Sequence, residues 1–152
     1  MEPSQINLQT YFMEQALKQA ALAYEEGEVP VGAVVVHNQR IIAKGYNQTE
    51  RLQDVTAHAE ILAITSAAQY VGAKYLNECT MYVTLEPCTQ CIGALVHARV
   101  SQIMYAASEP KTGFTRFVNP DLYKKIKIHS GLMAQESSLL LKSFFAQKRK
   151  SQ

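Results

Sequence analysis

The sequence predicts an α/β fold in which helices flank a central, mixed five-stranded sheet. Short runs rich in Val and Ile alternate with segments of helical periodicity, and this alternation implies a sheet with helices on both faces. Two apolar runs are separated by only four polar residues, which indicates a hairpin and therefore an antiparallel pair. With 152 residues, 47% of them hydrophobic, we expect one domain over residues 1–152.

The first half of the chain contains two predicted helices, one on each side of the hairpin. The hairpin strands occupy 31–36 and 41–46. Thr56 is a suitable N-cap for a second helix over about 57–70. Gly27 ends a first helix, whose apolar residues recur at helical spacing: Met13, Ala16, Leu17, Ala20 and Tyr24.

The second half of the chain continues the alternation. Pro87 suits the first turn of a third helix that runs to about Ala98. Residues 106–122 contain two prolines and a glycine, which predicts a loop. The remaining elements are strands over 80–85, 100–105 and 125–128 and a closing helix over 139–150.

Composition excludes several classes of protein. No segment approaches eighteen consecutive apolar residues, so we expect no membrane-spanning helix. Residues 1–9 lack the basic and apolar run of a signal peptide, and we therefore expect a cytoplasmic protein. Three cysteines argue against a disulfide framework and favour metal or redox use.

Charge is unevenly distributed along the chain. The formal net charge is +2, but residues 123–152 carry seven basic side chains and one acid. A basic end on an otherwise acidic chain indicates a polyanionic partner. A solvated terminal helix explains the same pattern, and charge alone does not separate the two interpretations.

Cys88 and Cys91 lie three residues apart near the start of the third predicted helix. This spacing places both on one helix face, where the helix dipole favours thiolates, and paired thiolates are good zinc ligands. On its own the pair is also compatible with a redox dithiol or with chance. Cys79 lies outside the motif, on a strand, and is expected to be a small buried residue.

His58 and Glu60 lie near the start of the second predicted helix. A lone histidine is usually structural, and residues two apart do not share a face of a regular helix. The two side chains can reach one pocket only if this segment lies at the very start of the helix, before the backbone becomes regular. The preceding residues Asp54-Val55-Thr56 support such a start. His58, Cys88 and Cys91 together then offer three metal ligands beside a free carboxylate.

Three protein ligands indicate catalytic rather than structural zinc, because structural sites have four. The sequence has no second C-x-x-C pair to supply a fourth ligand, and His37, His97 and His129 are isolated. The open position takes a water whose pKa the metal lowers towards about 7. Glu60 is then placed to take the proton and to deliver it to a leaving group.

His58-x-Glu60 followed by Pro87-Cys88-x-x-Cys91 is the signature of zinc nucleobase deaminases. Over about residues 10–150 the sequence also resembles the bacterial tRNA-specific adenosine deaminase family. The blocks that carry this resemblance occur in the family's order: Val29-Pro30-Val31-Gly32-Ala33-Val34, Gly45-Tyr46-Asn47, Thr56-Ala57-His58-Ala59-Glu60-Ile61, Tyr82-Val83-Thr84-Leu85-Glu86-Pro87-Cys88, Lys111-Thr112-Gly113, and Phe144-Phe145 with Lys148-Arg149.

The resemblance implies a three-layer α/β/α fold of the cytidine-deaminase kind, a homodimer and one Zn²⁺ per chain. The implied reaction converts adenosine to inosine at the wobble position of a tRNA anticodon stem-loop. Asn47 would contact the flipped base, and Val29 would line its pocket.

We expect the closing helix to contribute to RNA binding. Lys148 and Arg149 can meet phosphates, and Phe145 can stack on a base. Adjacent aromatic residues cannot share a helix face, so either Phe144 or Phe145 is expected to pack into the core.

The sequence departs from the family at three places. Val55 stands where proline is frequent, Thr89-Gln90 is more polar than usual, and the stretch after Lys111-Thr112-Gly113 looks shortened. We expect these positions at the pocket rim or the RNA surface, where they affect the choice of substrate rather than the metal chemistry.

Two other functions are compatible with the same residues. A deaminase of a free nucleobase or nucleoside, of guanine or cytosine type, would use the same zinc site but would need no basic tail. A non-catalytic zinc module that binds RNA would have no use for an unligated Glu60. The basic closing helix and the block at 29–32 favour the tRNA deaminase.

Overall fold

The computed structural model describes the backbone of residues 3–151 and the side chains of residues 7–151. Its elements follow the predicted order, with two short helical additions after β4. They are α1 (Pro3–Glu25), β1 (Gly32–His37), β2 (Arg40–Tyr46), α2 (Ala59–Val71), β3 (Thr80–Leu85), α3 (Thr89–Ala98), β4 (Gln102–Ala107), α4 (Phe114–Phe117), a 3-10 helix (Pro120–Tyr123), β5 (Lys127–Ser130) and α5 (Ala134–Lys150).

The five strands form one mixed sheet in the order β2-β1-β3-β4-β5. β1 pairs antiparallel with both β2 and β3, whereas β3–β4 and β4–β5 are parallel. β1 is buried at five of its six residues, because it has a strand on each side and a helix on each face. The predicted hairpin and the predicted mixed sheet are confirmed.

Helices cover both faces of this sheet. On one face α1 buries Phe12 and Met13, and on the other α2 and α3 bury Ala63, Ile92 and Leu95. α5 contacts α1, β3 and β4. The three-layer α/β/α architecture is therefore confirmed. Within residues 3–151 no helix combines the length and apolar composition that crossing a membrane requires.

Two glycines let helices approach the sheet closely. A Cβ atom at Gly32 would lie 2.1 Å from the carbonyl oxygen of Ala16 in α1, and one at Gly45 would lie 2.6 Å from that of Ala59 in α2. Any side chain at either position would push its helix away from the sheet. Gly45 matters most for function, because Ala59 lies between the two predicted site residues of α2.

The structure corrects the predicted starts of α2 and α3. α2 begins at Ala59 with His58 as its N-cap, so Thr56 does not cap it. The Thr56 hydroxyl donates instead to the Asp54 carboxylate at 2.7 Å, a local bond that competes with capping. α3 begins at Thr89, and Pro87 precedes this helix rather than lying in its first turn.

The predicted loop at 106–122 is wrong in part. β4 continues to Ala107, and α4 and the 3-10 helix follow within the segment. Each of these helices has only four residues, too few to show helical periodicity in a sequence.

α5 begins at Ala134 rather than at 139, because its first turn is mostly polar. Cys79 is buried as predicted, although it directly precedes β3.

Candidate active site

The N-termini of α2 and α3 meet beyond the carboxyl end of β3. His58 is the N-cap of α2 and Cys88 is the N-cap of α3, three residues after β3 ends at Leu85. Ligands of α/β sheets bind outside the carboxyl ends of strands, and helix N-termini favour negative charge. The two helix N-termini therefore stabilise thiolates or another anionic group at this position.

His58, Cys88 and Cys91 form a compact group that is able to hold a metal. Their ligand atoms all lie within 4.8 Å of one another. His58 Nδ1 is 3.5 Å from Cys88 Sγ and 3.4 Å from Cys91 Sγ. Zinc bonds of about 2.0–2.1 Å to nitrogen and 2.3 Å to sulfur, at a tetrahedral angle, would separate such atoms by about 3.6 Å. The three side chains thus fit tetrahedral zinc with little rearrangement.

Hydrogen bonds within this group shift the pKa values of the two thiols in opposite directions. The pKa of Cys88 is lowered to about 4, chiefly by a hydrogen bond with the Cys91 thiol and further by one with His58. The pKa of Cys91 is raised, first by its hydrogen bond with Cys88 and then by burial. The hydrogen bond with Cys88 also raises the pKa of His58. One thiolate is therefore favoured by the protein alone, and a divalent cation favours the second.

Glu60 is 4% exposed and lies in the first turn of α2. Burial, the largest cause, raises the pKa of Glu60 to about 7. A carboxyl group of that pKa is suited to both accepting and donating a proton at neutral pH. His58 has extended backbone dihedrals before the helix, whereas Glu60 lies within it. The side chains of His58 and Glu60 therefore line one cavity although they are only two residues apart in the chain.

A cavity of about 250 Å³ opens beside these groups. Its wall contains His58, Cys88 and Glu60, together with the two predicted substrate contacts, Asn47 and Val29. Seven further residues complete the lining: Val31, Thr49, Ala59, Leu85, Glu86, Glu109 and Thr112. Apolar walls with a few convergent polar groups are typical of small-ligand sites.

Asn47 lines this cavity and has one unsatisfied acceptor. Its Nδ2 donates to the carbonyl oxygen of Val29 at 3.3 Å, which fixes the orientation of the amide. Its Oδ1 is buried and has no hydrogen-bond partner among the described residues. Buried polar atoms are rarely left unpaired, so an unpaired oxygen on a cavity residue marks Asn47 as a candidate ligand contact.

Glu28 is a buried carboxylate beside the cavity that the sequence analysis did not single out. It is 1% exposed and precedes the cavity residue Val29. Its two oxygens accept the backbone N–H groups of Glu50 at 3.0 Å and Arg51 at 2.7 Å. The only sequence signal for it is an acid directly before the apolar block at 29–34.

Glu86 is a second buried carboxylate that the sequence analysis did not single out as a functional residue. It is 4% exposed and lines the cavity two residues before Cys88. It accepts the backbone N–H groups of Glu109 and Thr115, both at 3.0 Å, and the Thr115 hydroxyl at 2.7 Å. An acid within the apolar run that leads to Pro87 is its sequence signal.

The residues predicted to contact RNA lie on α5 and not in the cavity. Phe145 is 44% exposed, whereas Phe144 is buried and meets Tyr24 of α1 edge-on at 5.7 Å. The prediction that one of the two aromatic residues packs into the core is confirmed. Lys148 and Arg149 are exposed, and Lys148 Nζ lies 5.6 Å from the Phe144 ring.

The fold and the cavity define the class of protein, and comparison with known proteins agrees. The family model of MafB19-like deaminases matches residues 6–149. The tRNA-specific adenosine deaminase of Rickettsia felis is 44% identical over 140 residues, which are 88% of this chain and 97% of that protein. The chain belongs to the tRNA-specific adenosine deaminase family, as the motifs predict.

Solved structures show the same relationship. A structure from a study of A-to-I editing by tRNA:A34 deaminases at the wobble position of transfer RNA matches with a TM-score of 0.82 and 43% identity. The match covers 87% of this chain and 99% of that one. The guanine deaminase from Bacillus subtilis matches with a TM-score of 0.63 and 34% identity, over 82% and 76% of the chains. The free-base deaminase is thus the more distant of the two.

Proposed function

We propose that the protein hydrolyses adenosine to inosine at the wobble position of a tRNA anticodon. The observation that carries this proposal is the cavity in which buried Glu60 stands beside a His-Cys-Cys group able to hold a metal. The relatives named for tRNA adenosine deamination match over almost their whole length and support the assignment of the substrate.

We assign the metal as zinc, one ion per chain, held by His58 Nδ1, Cys88 Sγ and Cys91 Sγ. Imidazole and thiolate donors suit zinc, and two thiolates balance its charge. Bound there, Zn²⁺ would leave one position open for a water, lower the pKa of that water towards about 7 and so supply the hydrolytic nucleophile.

Glu60 is the proton carrier in this proposal. Its carboxylate takes a proton from the attacking water and delivers it to the ring nitrogen of the base. It then helps to protonate the amino group, which leaves as ammonia. The reaction consumes one water and replaces the amino nitrogen with oxygen. A pKa of about 7 makes both protonation states of Glu60 accessible near neutral pH.

Asn47 and Val29 hold the base in front of Glu60. The unpaired Asn47 Oδ1 accepts a hydrogen bond from a donor on the base, while Nδ2 keeps its bond to the Val29 carbonyl oxygen. The Val29 side chain supplies apolar wall for the flat ring. A base must leave its stack to reach such a cavity, which suits a nucleotide in a single-stranded loop.

The exposed face of α5 contacts the anticodon stem-loop outside the cavity. Lys148 and Arg149 meet phosphates, and Phe145 stacks on a neighbouring base. α5 joins the end of α1 through a 2.9 Å hydrogen bond between Ser143 and Tyr24. Because Val29 follows Tyr24 by five residues, α5 lies beside the chain segment that leads into the cavity.

We further propose a homodimer in the cytoplasm, on the basis of the family resemblance and of tRNA as the substrate. Sedimentation equilibrium over a range of protein concentrations tests the dimer directly. A constant monomer mass at all concentrations would contradict it.

The substrate is tested by offering the protein total tRNA, an anticodon stem-loop with adenosine at the wobble position, and free adenosine, guanine and cytidine. We expect inosine in the RNA substrates and little turnover of the free compounds. The competing candidate, a free-base deaminase, is supported by the likeness to guanine deaminase. Efficient turnover of guanine or cytidine, with none on tRNA, would establish that candidate instead.

A further inference from the structure

We propose that Glu28 and Glu86 are positioning residues that hold two loops of the cavity rim in the shape that a tRNA substrate requires. The first loop is residues 48–54, and the second is residues 108–113, which lead into the first turn of α4. This inference rests on the proposed function, because rim loops matter most for a substrate that extends beyond a single base.

Glu28 fixes the 48–54 loop. One oxygen accepts the N–H of Glu50 at 3.0 Å and the other accepts that of Arg51 at 2.7 Å. Thr49, directly before these residues, lines the cavity. The Arg51 guanidinium donates to Glu26 at 3.0 Å, so the same loop also holds a cation at a defined place near the rim. The backbone of the loop is thereby tied to the segment that contains Val29.

Glu86 fixes the 108–113 loop and the first turn of α4, which contains Thr115. Its Oε1 accepts the N–H of Glu109, and its Oε2 accepts both the N–H and the hydroxyl of Thr115. Gly113 permits this approach, since a Cβ atom there would lie 2.1 Å from Glu86 Oε2. The loop passes directly over the carboxylate, and Glu109 lines the cavity.

The two carboxylates share an unusual environment. Each is almost fully buried, and its hydrogen-bond donors within the described residues come from one short segment: a loop for Glu28, and a loop with the helix turn that follows it for Glu86. A buried charge is tolerated only when such donors compensate for its lost hydration, and charged acceptors bind N–H groups more strongly than neutral ones. Neither acid belongs to the metal-binding group, so both act on rim geometry rather than on the metal.

Replacing either acid with glutamine separates this role from a general effect of charge. The amide keeps one acceptor but presents an NH₂ group to a backbone N–H, which releases part of the loop. Removing a negative charge would by itself strengthen the attraction to RNA and lower KM for tRNA. Loss of loop geometry raises KM instead, and the two effects have opposite signs.

The test compares Glu28→Gln and Glu86→Gln with the wild-type protein on the anticodon stem-loop. We expect KM to rise about tenfold, which corresponds to a loss of about 1.4 kcal/mol in substrate binding. We expect kcat to stay within about twofold and the metal content to be unchanged. Partial unfolding would instead lower kcat at constant KM. Glu14→Gln, the same change of charge on an exposed position of α1, should leave kcat unchanged and should not raise KM.

Thr115→Val is a milder variant in case Glu86→Gln does not fold, since it removes only the hydroxyl bond to Glu86. Amide hydrogen exchange gives a second measurement that does not depend on the substrate. We expect faster exchange at Glu50 and Arg51 in Glu28→Gln, and at Glu109 and Thr115 in Glu86→Gln. An unchanged KM in folded, active variants would overturn the inference, as would unchanged exchange. A wild-type protein that makes no inosine in tRNA would contradict the proposed function, while the exchange experiment would still test the two loops.

Discussion

The metal-binding cavity and the exposed face of α5 differ in how far the fold fixes their side chains. At the cavity and the metal-binding group beside it, Cys91 is fully buried and Glu60 nearly so, and neighbouring groups constrain both. On α5, Phe145, Lys148 and Arg149 project into solvent. The difference indicates that the groups proposed for the chemistry are arranged before substrate binds, whereas the proposed RNA contacts on α5 would take their geometry from the bound RNA. Substitutions should therefore have large effects in the cavity and graded ones on α5.

The largest effect is expected for Cys88→Ala. Loss of one of three protein ligands should remove the metal, reduce inosine formation below detection and lower the unfolding temperature, because metal binding is coupled to folding. Metal analysis, an activity assay and thermal unfolding check these outcomes. Cys79→Ala is the matched control, since Cys79 is buried outside the group and should keep metal and activity. Retained activity in Cys88→Ala would show that this cysteine does not hold a metal on which activity depends.

Glu60→Ala should separate chemistry from metal binding. We expect the variant to fold and to keep its metal, but to lose roughly 10²–10⁴-fold in kcat for each proton transfer that Glu60 mediates. Single-turnover assays on the stem-loop, combined with metal analysis, measure both properties. A near-normal kcat would show that another group carries the proton.

Asn47→Ala should have an intermediate effect. It removes the unpaired Oδ1 and the bond from Nδ2 to Val29, and lost hydrogen bonds of this kind cost about 1–3 kcal/mol. We expect kcat/KM to fall roughly 10- to 100-fold with the metal retained. Steady-state kinetics on the stem-loop provide the measurement. An unaffected kcat/KM would show that Asn47 does not contribute to recognition of the base.

The smallest effect is expected when Lys148, Arg149 and Lys150 are replaced together by Ala. Each phosphate contact that is lost should lower the slope of log affinity against log salt by about 0.7–0.9. We expect weaker tRNA binding and a flatter salt dependence, with metal and kcat unchanged. Lys124→Ala with Lys125→Ala removes two positive charges outside α5 and serves as the control. An unchanged slope in the folded triple variant would exclude the end of α5 as an RNA contact.

The sequence predicted the layers of the fold because periodicity is a local property of each segment. The Val-rich run of β1 and the spacing of Met13 and Ala16 in α1 need no distant partner to be recognised. The two segments around His58 and Cys88 were found for the same reason, since each motif is short and contiguous. Their meeting at the end of β3 depends on topology, which the alternation of strands and helices constrains.

The contacts of Glu28 and Glu86 could not be predicted in this way. Four of their five donors are backbone N–H groups that lie 22 to 29 residues away in the chain, and any residue except proline supplies such a group. The fifth donor is the Thr115 hydroxyl. No pattern of side chains records the pairing. The start of α2 was missed by two residues for a related reason, since Asp54 competes for the Thr56 hydroxyl that was expected to cap the helix.

The zinc content of the active protein tests most directly whether His58, Cys88 and Cys91 hold the ion on which the chemistry depends. Purified protein that makes inosine in the anticodon stem-loop should contain one zinc per chain. Stepwise removal of zinc by a chelator should lower activity in proportion, and adding zinc should restore it. Full activity in protein that contains no zinc would contradict the assignment of the site.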